Sequence, residues 1–366
     1  MSNYKLLTPG PLTTTKTVKQ EMLKDRCTWD DDYKNVTQVI RKQLLHLAQV
    51  DESDYTAVLM QGSGSFVVES VLTTAVGEDD KLLIITNGAY GERIVEMAQV
   101  LRLAHVVYSV PYDEHPSSLE VQALLEKDAS ITHVAVVHCE TTTGILNPIE
   151  EIGEVVYSFN KTFIVDAMSS FGGVPMDLSN SHIDFCISSA NKCIQGVPGF
   201  GFVIAKTKAL ETCKGQARSV ALDLYSQWEV MKKDGKWRFT SPTHVVAAFA
   251  KALEELVEEG GVNARYQRYA DNNQLLRSRL SVLGFDAYIS EELQSPIITT
   301  YLFPHKEFSF EHFYQEMKKE GYVIYPGKLT DVDTFRIGNI GDIYEEDMQA
   351  LCEVIENYMV VKNNEN

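Results

Sequence analysis

A single lysine stands in an uncharged polar stretch of the chain, ISSANKCIQGVPG (residues 187–199). Lys192 follows a short apolar run, and no acidic residue lies within five positions of it. A lysine that only covers the surface usually lies on a charged helix face, which this stretch is not. A buried lysine readily loses its proton, and the neutral amine can then form a Schiff base with an aldehyde. Lys192 is therefore a candidate for covalent catalysis.

An aspartate ends another apolar run upstream of this lysine. Asp166 follows residues 163–165, which are apolar, so we expect its carboxylate to be partly buried. A buried carboxylate has to find a cation or hydrogen-bond donors. Two interpretations stay open: Asp166 pairs with a cationic group of a ligand, or it caps the loop that follows.

A glycine- and serine-rich turn, Gly62-Ser63-Gly64-Ser65, lies between a predicted strand and a predicted helix. Small residues let backbone N–H groups approach an anion, and the start of a helix favours a phosphate there. The turn lacks both the lysine of a P-loop and the GxGxxG pattern of a dinucleotide site. A purely structural turn is the alternative.

Further polar or aromatic side chains follow other predicted strands. Tyr90, in NGAYG, could stack on a flat ligand ring, although core packing is an equal alternative. Glu140 and the three threonines 141–143 follow the run THVAVVH. Together, the lysine, the aspartate, the Gly/Ser turn and the aromatic ring match what pyridoxal phosphate requires. We therefore expect this cofactor at the strand ends.

The elements that position these residues lie between residues 55 and 205, where apolar runs alternate with helical stretches. The pattern predicts an α/β fold with a mostly parallel sheet covered by helices, and ligands of such sheets bind at the carboxyl ends of the strands. After residue 240 the pattern predicts a smaller α+β unit. We predict an extended N-terminal segment that joins the small domain (1–15), a large cofactor-binding domain (16–260) and a small C-terminal domain (261–366).

Composition narrows the class of protein. The formal charge of −18 disfavours binding to nucleic acid and to anionic membranes. The six cysteines form no CxxC pair and the histidines no HExxH motif, so we expect neither a disulfide framework nor a metal site. Because neither a signal-peptide pattern nor a long apolar run is present, we expect a soluble, cytoplasmic protein.

Nearly the whole chain resembles the class V, fold type I aminotransferases. The motifs that carry the resemblance are LLTPGPLTTTKTVKQEML, QGSGSFVVES, NGAYGER, ETTTGILNPI, VDAMSSFGG, SSANKCIQGVPGFGFVIAK and FRIGNIG. It implies that Lys192 is the Schiff-base lysine and Asp166 the partner of the pyridine nitrogen. The other cofactor contacts that it implies are Ser63, Gly64, Ser65, Tyr90, Thr143 or its neighbour Thr142, and Ser189. It also implies a homodimer with shared active sites, in which Thr240 or Thr243 reaches the neighbouring subunit's cofactor phosphate.

Arg336, in FRIGNIG, is the candidate for binding the substrate, because a guanidinium pairs well with a carboxylate or phosphonate. A surface arginine is the alternative.

CTWDDDY, SANKCIQGVPG and KWRFTSPTH resemble a branch of the family that acts on phosphonates. That branch implies amino transfer from 2-aminoethylphosphonate to pyruvate, giving phosphonoacetaldehyde and L-alanine. Two alternatives are a relative that uses alanine or serine with glyoxylate or pyruvate, and a non-catalytic nucleotide- or phosphate-binding protein. We also expect the turn TPGP (residues 8–11) to line the mouth of the site.

Overall fold

The computed structural model describes residues 4–365 and is built around one large sheet. Its strands are β1 (Lys5–Leu6), β2 (Tyr55–Gln61), β3 (Lys81–Thr86), β4 (Ala104–Ser109), β5 (His133–Val137), β6 (Cys139–Glu140), β7 (Ile145–Leu146), β8 (Thr162–Asp166), β9 (Phe185–Ser189), β10 (Phe200–Lys206), β11 (Ile298–Leu302), β12 (Tyr322–Val323), β13 (Tyr325–Pro326) and β14 (Thr334–Gly338). Its α-helices are α1 (Lys16–Glu21), α2 (Asp31–Leu47), α3 (Gly64–Ala75), α4 (Ala89–Val100), α5 (Ser118–Lys127), α6 (Ile149–Ser158), α7 (Thr207–Thr212), α8 (Leu224–Asp234), α9 (Thr243–Glu258), α10 (Gly261–Val282), α11 (Phe310–Lys319) and α12 (Glu345–Glu365).

The large sheet has seven strands in the order β2-β10-β9-β8-β5-β3-β4. Strands β9, β8, β5, β3 and β4 run parallel to one another, whereas β10 is antiparallel to both of its neighbours. A parallel return needs a crossover of a dozen or more residues, and residues 190–199 between β9 and β10 are too few. The prediction of a mostly parallel sheet is confirmed. The short return matters for function because it contains Lys192.

The inner strands of the large sheet are almost entirely buried because helices cover both faces of the sheet, whereas the edge strand β4 is partly exposed. In β8, Phe163 and Val165 join a core cluster that includes side chains of α2, α5, α6 and α9. Ile164, which points the opposite way, joins the cluster that includes side chains of α3, α4 and α8. Burial on both sides fixes the register of the strands and therefore the positions of the loops at their ends.

The C-terminal part of the chain forms a second, antiparallel sheet in the order β11-β14-β13. Its apolar residues pack with α10, α11 and α12 in a separate core cluster. The run FDAYIS (residues 285–290) forms only an isolated bridge between Ala287 and Tyr301 before the chain enters a short 3-10 helix at Glu291–Leu293. The run YVIYPG is split, since β12 pairs with β1 and β13 pairs with β14.

The N-terminal segment joins this second part of the molecule by backbone pairing. Strand β1 runs parallel to β12, and the backbone N–H of Gly338 donates to the backbone oxygen of Leu7 at 2.9 Å. These contacts involve residues 5–7 of the predicted N-terminal segment; residues 1–3 lie outside the described part of the chain, and the segment and the domain boundaries stay a prediction. No helix in the described part of the chain is long and apolar enough to cross a membrane.

Candidate active site

Lys192 lies in the turn between β9 and β10, at the edge of the sheet where β8 and β9 end. Its half-buried ammonium donates a hydrogen bond of 2.6 Å to the backbone oxygen of Pro9. Burial lowers the pKa of this lysine, against the opposing effect of nearby groups such as Tyr90 and Asp166. The fraction of lysine in the neutral form, which a nucleophile requires, is therefore larger here than it is for a lysine on the surface.

Asp166 is the last residue of β8 and is only 7 % exposed. Its Oδ1 accepts a hydrogen bond of 2.9 Å from the backbone N–H of Met168, so the carboxylate does cap the following loop. Its Oδ2 accepts no hydrogen bond from a described residue. Burial raises the pKa of Asp166 to about 6, despite that hydrogen bond and the proximity of Lys192. A cation placed at Oδ2 would stabilise the ionised form.

These two residues line one open cleft with about 820 Å³ of empty space. The structure brings seven of the residues singled out in the sequence to this cleft: Ser63, Gly64, Ser65, Tyr90, Asp166, Ser189 and Lys192. Helix α3 begins at Gly64 and points its N-terminus into the cleft, and the side chain of Ser63 does not cap it. The first turn of α3 carries no acidic residue. The start of this helix can therefore receive an anion.

A hydrogen bond from its backbone N–H holds Tyr90 in place. Its N–H donates to Oε2 of the fully buried Glu140 at 3.0 Å. Two cations lie over the Tyr90 ring, with the Lys328 Nζ 4.1 Å and the Arg93 Cζ 4.9 Å from the ring centroid. Burial alone would raise the pKa of Tyr90, but Lys192 and Lys328 outweigh it and lower that pKa.

The two candidate threonines differ in their partners. Thr142 Oγ1 donates to Oε1 of Glu140 at 2.6 Å and accepts from the backbone N–H of Ala89 at 3.0 Å. Thr143 Oγ1 is buried and has no hydrogen-bond partner among the described residues. Neither threonine lines the cleft. The free hydroxyl of Thr143 favours it over Thr142 as a ligand contact.

Arg336 is buried, with only 1 % of its surface exposed, so the interpretation as a surface arginine is wrong. Its Nε donates to the backbone oxygen of Pro326 at 3.0 Å and its Nη1 to that of Thr141 at 2.8 Å. Burial lowers its pKa. Its guanidinium also interacts with the side chain of Tyr90. Arg336 does not line the cleft around Lys192.

Thr240 and Thr243 lie outside the cleft of their own chain. Thr240 is exposed, and Thr243 is the half-buried first residue of α9. The neighbouring Phe239 lines a separate surface depression together with Gly62, the first residue of the Gly/Ser turn, and Phe66, which follows the turn. Neither threonine contacts the Lys192 cleft within one subunit.

Comparison with known proteins identifies the family. The family described as Aminotransferase class-V matches residues 30–328 of the chain. The chain is a member of the class V aminotransferases.

Relatives of this aminotransferase extend over its full length. It is 95% identical over 366 residues to 2-aminoethylphosphonate–pyruvate transaminase of Lysinibacillus sphaericus (strain C3-41), covering 100% of both chains. It is 58% identical over 361 residues to the transaminase of the same name from Bacillus cytotoxicus (strain DSM 22905 / CIP 110041 / 391-98 / NVH 391-98), covering 98% of this chain and 99% of that one.

Solved structures confirm the fold type I architecture. The ureidoglycine-glyoxylate aminotransferase of Bacillus subtilis superposes with a TM-score of 0.90 at 20% identity, covering 99% of this chain and 94% of that one. The pyridoxamine-pyruvate aminotransferase of Mesorhizobium loti gives a TM-score of 0.89 at 22% identity, covering 98% and 93%.

Pyridoxal phosphate is the cofactor of this aminotransferase, and the cleft fits it. Ser189 Oγ is buried in the cleft lining without a hydrogen-bond partner among the described residues, so it can donate to a bound anion. The uncapped start of α3, the free Oδ2 of Asp166 and the amine of Lys192 supply an anion site, an anionic acceptor and a nucleophile. In the described part of the chain, no cluster of His, Cys, Asp or Glu side chains is arranged to hold a metal ion.

Three residues at or next to the site were not predicted from the sequence to take part in it. Arg93 lines the cleft and donates to Ser65 Oγ at 3.2 Å. Its spacing of three residues from Tyr90 on one helix was a usable signal, because such residues share a face. Glu140 was noted only as a polar residue, and its role in holding the start of α4 needs the folded structure. Lys328 carries no signal in the sequence.

Proposed function

We propose that this aminotransferase transfers the amino group of 2-aminoethylphosphonate to pyruvate, giving phosphonoacetaldehyde and L-alanine. The observation that carries the proposal is the cleft itself, where Lys192, Asp166 and the uncapped start of α3 face one space. The names of the relatives at 95% and 58% identity support this choice of substrates.

Each part of the cofactor has a candidate partner. Residues 63–65 and Ser189 would hold its phosphate, Asp166 its ring nitrogen, Tyr90 its ring face and Thr143 or Thr142 its ring oxygen. When bound, pyridoxal phosphate supplies the carbonyl carbon that receives the amino group and a ring that withdraws electrons from the reacting carbon.

Lys192 would both attach the cofactor and move the proton. Its Nζ removes a proton from the substrate carbon that bears the amino group, and the lowered pKa of this lysine leaves more of the amine neutral. The contact with Pro9 holds the lysine on the side of the cleft where the N-terminal segment lies. Residues 8–11 do not themselves line the cleft, and through this contact they would border its mouth.

Arg336 would bind the acidic group of both substrates, the phosphonate of the donor and the carboxylate of pyruvate. Its Nε and Nη1 are anchored to backbone oxygens, which fixes the plane of the guanidinium. A guanidinium has five N–H donors, and only two of those of Arg336 are used by these backbone oxygens, so others would be able to bind two oxygen atoms of the ligand.

The working unit would be a homodimer in which Thr240 or Thr243 reaches the cofactor phosphate of the partner subunit. An apolar surface beside the Gly/Ser turn supports this, with Phe66 56 %, Phe239 51 % and Val220 71 % exposed. Large exposed apolar surfaces mark contact sites. Sedimentation should show a dimer that Phe239→Asp weakens, while Val282→Asp, at an 87 % exposed position at the end of α10, should not affect it. A monomeric wild type would contradict the shared site.

We also propose a cytoplasmic location. All six cysteines of the chain are free, five of them buried, which fits a reducing compartment.

A panel of amino donors tests the proposed reaction. The value of kcat/KM with pyruvate should be highest for 2-aminoethylphosphonate, and phosphonoacetaldehyde and alanine should appear in equal amounts. Higher values with serine or alanine, or with glyoxylate as the acceptor, would instead assign the chain to the related aminotransferases.

A further inference from the structure

Four cationic side chains lie around Tyr90 in a protein whose formal charge is −18. Lys328 and Arg93 lie over its ring, and Lys192 and Arg336 interact electrostatically with its phenol. Such a concentration of positive charge in a protein with a large negative net charge indicates a site for strongly anionic ligands.

Three of these four cations donate hydrogen bonds to the backbone or to the Gly/Ser turn. Lys192 donates to Pro9, and Arg93 donates to Ser65 in the turn expected to hold the cofactor phosphate. Arg336 donates to two backbone oxygens. Lys328 is half-buried, contacts the Tyr90 side chain and, like the other three cations, forms no ion pair with a described residue. Because its ammonium is bonded neither to the backbone nor to the Gly/Ser turn, it is the cation most able to turn to a ligand.

Lys328 is also tied to Arg336 through the backbone. It follows β13, whose Pro326 accepts the Nε hydrogen bond of Arg336 at 3.0 Å. The next residue, Gly327, donates its N–H to the backbone oxygen of Thr334 at 3.0 Å. These bonds hold the start of the Lys328 loop against β14, so the two cations are presented from one rigid edge toward Tyr90.

The chemistry of the two substrates differs in charge at this point. A carboxylate carries one negative charge on two oxygens, which the remaining N–H donors of Arg336 can satisfy. A phosphonate has three oxygens and, near neutral pH, carries between one and two negative charges. One guanidinium therefore leaves a phosphonate with an oxygen and part of its charge unmatched.

We propose that Lys328 binds the third oxygen of the phosphonate and so determines selectivity for phosphonate over carboxylate substrates. The inference rests on the proposed function and adds a second cation to the role given to Arg336. Arg93 is the less suitable choice, because its bond to Ser65 places it on the side of the cofactor phosphate.

The test compares Lys328→Ala and Lys328→Arg with wild-type holoenzyme. Single-turnover rates are measured for the half-reaction with 2-aminoethylphosphonate and, separately, for that with pyruvate. Lys328→Ala should raise the half-saturating concentration of 2-aminoethylphosphonate by about tenfold or more, as expected for a lost charge-assisted contact. The pyruvate half-reaction should change less than about twofold, and Lys328→Arg should restore most of the loss. Lys306→Ala, at an exposed lysine, is the matched control.

A second readout does not depend on turnover. Ethylphosphonate lacks the amino group, so its dissociation constant for the holoenzyme can be measured by calorimetry, with propionate as the carboxylate counterpart. Lys328→Ala should weaken ethylphosphonate alone. Equal weakening of both ligands, no weakening of either, or loss of the cofactor would overturn the inference. If wild-type enzyme itself fails to react with 2-aminoethylphosphonate, the proposed function falls; if wild type reacts and Lys328→Ala reacts equally well, only the role of Lys328 falls.

Discussion

The ammonium of Lys192 and the backbone oxygen of Pro9 form a hydrogen bond of 2.6 Å, although 183 positions separate the two residues. The pairing of β1 with β12 and the hydrogen bond from the Gly338 N–H to the Leu7 oxygen hold the N-terminal segment against the C-terminal part of the molecule, and Pro9 continues from there to the lysine. The segment therefore connects the C-terminal part of the molecule directly to the candidate catalytic group.

Replacement of Gly10 tests this connection. A Cβ at Gly10 would lie 2.8 Å from Lys192 Cδ and 2.9 Å from its Nζ, and the backbone has a φ of +121°. Gly10→Ala should lower turnover by about 10–100-fold, because small displacements of a catalytic group have effects of that size. It should also destabilise the fold by about 1–3 kcal/mol through backbone strain.

Gly215→Ala is the matched control for this experiment. Gly215 also has a positive φ, +78°, but a Cβ there meets nothing within 4 Å. The control should lose stability and keep wild-type turnover. If Gly10→Ala keeps wild-type turnover as well, the N-terminal segment has no part in catalysis.

The lysine that carries the cofactor can be identified chemically. Borohydride reduction of the holoenzyme should fix the cofactor to Lys192, since this amine lines the cleft and burial lowers its pKa. Peptide mass spectrometry locates the label. Modification of Lys206 or Lys214 in place of Lys192 would show that the assignment is wrong.

The carboxylate of Asp166 should make the stability of the cofactor-free protein depend on pH. Burial raises its pKa from 3.8 to about 6 on folding, so its favourable contribution is complete below the unfolded pKa and is lost as the pH rises through 6. Between pH 5 and pH 8, wild type should lose about 1–2 kcal/mol of unfolding free energy relative to Asp166→Asn. Urea unfolding at several pH values measures this, and parallel curves would contradict it.

The same substitution separates the two roles of Asp166. An asparagine keeps the acceptor for the Met168 N–H, so the loop cap survives. If Asp166 also pairs with the ring nitrogen, turnover should fall by about 10²–10⁴-fold, a typical loss for such a group. Near wild-type turnover would leave only the loop cap.

Arg336→Lys should impair both half-reactions. A lysine keeps the charge but loses the planar fork and the two backbone anchors at Pro326 and Thr141. The expected loss is about ten- to a hundredfold in kcat/KM for each substrate. Arg279→Lys, at an arginine paired with Glu356, is the control. A loss confined to pyruvate would mean that another group binds the phosphonate.

The sequence was most informative where a strand end specifies a position. Asp166 and the Gly/Ser turn follow buried strands, and Lys192 lies in the short turn after another, so the alternation alone predicted that they converge. Contacts between distant segments could not be predicted this way. The bond from Lys192 to Pro9 and the position of Lys328 over Tyr90 depend on how the second sheet packs against the first, which no local pattern encodes.

Individual hydroxyls and strand directions were likewise beyond the sequence. Thr142 and Thr143 are adjacent and chemically identical, and only the folded chain shows that Thr142 bonds Glu140 while Thr143 is free. Strand β10 is as apolar as the parallel strands of the sheet, so its composition does not distinguish it; the short turn before it, which cannot make a parallel return, sets its antiparallel direction.

The most direct test of the account follows the amino nitrogen. The enzyme is incubated with ¹⁵N-labelled 2-aminoethylphosphonate and pyruvate, and the products are analysed by mass spectrometry. We predict that wild type places the label in L-alanine, with one phosphonoacetaldehyde for each alanine, and that Lys192→Ala does so at a negligible rate. Alanine without label, or label transfer by Lys192→Ala at a rate close to that of wild type, would contradict the account.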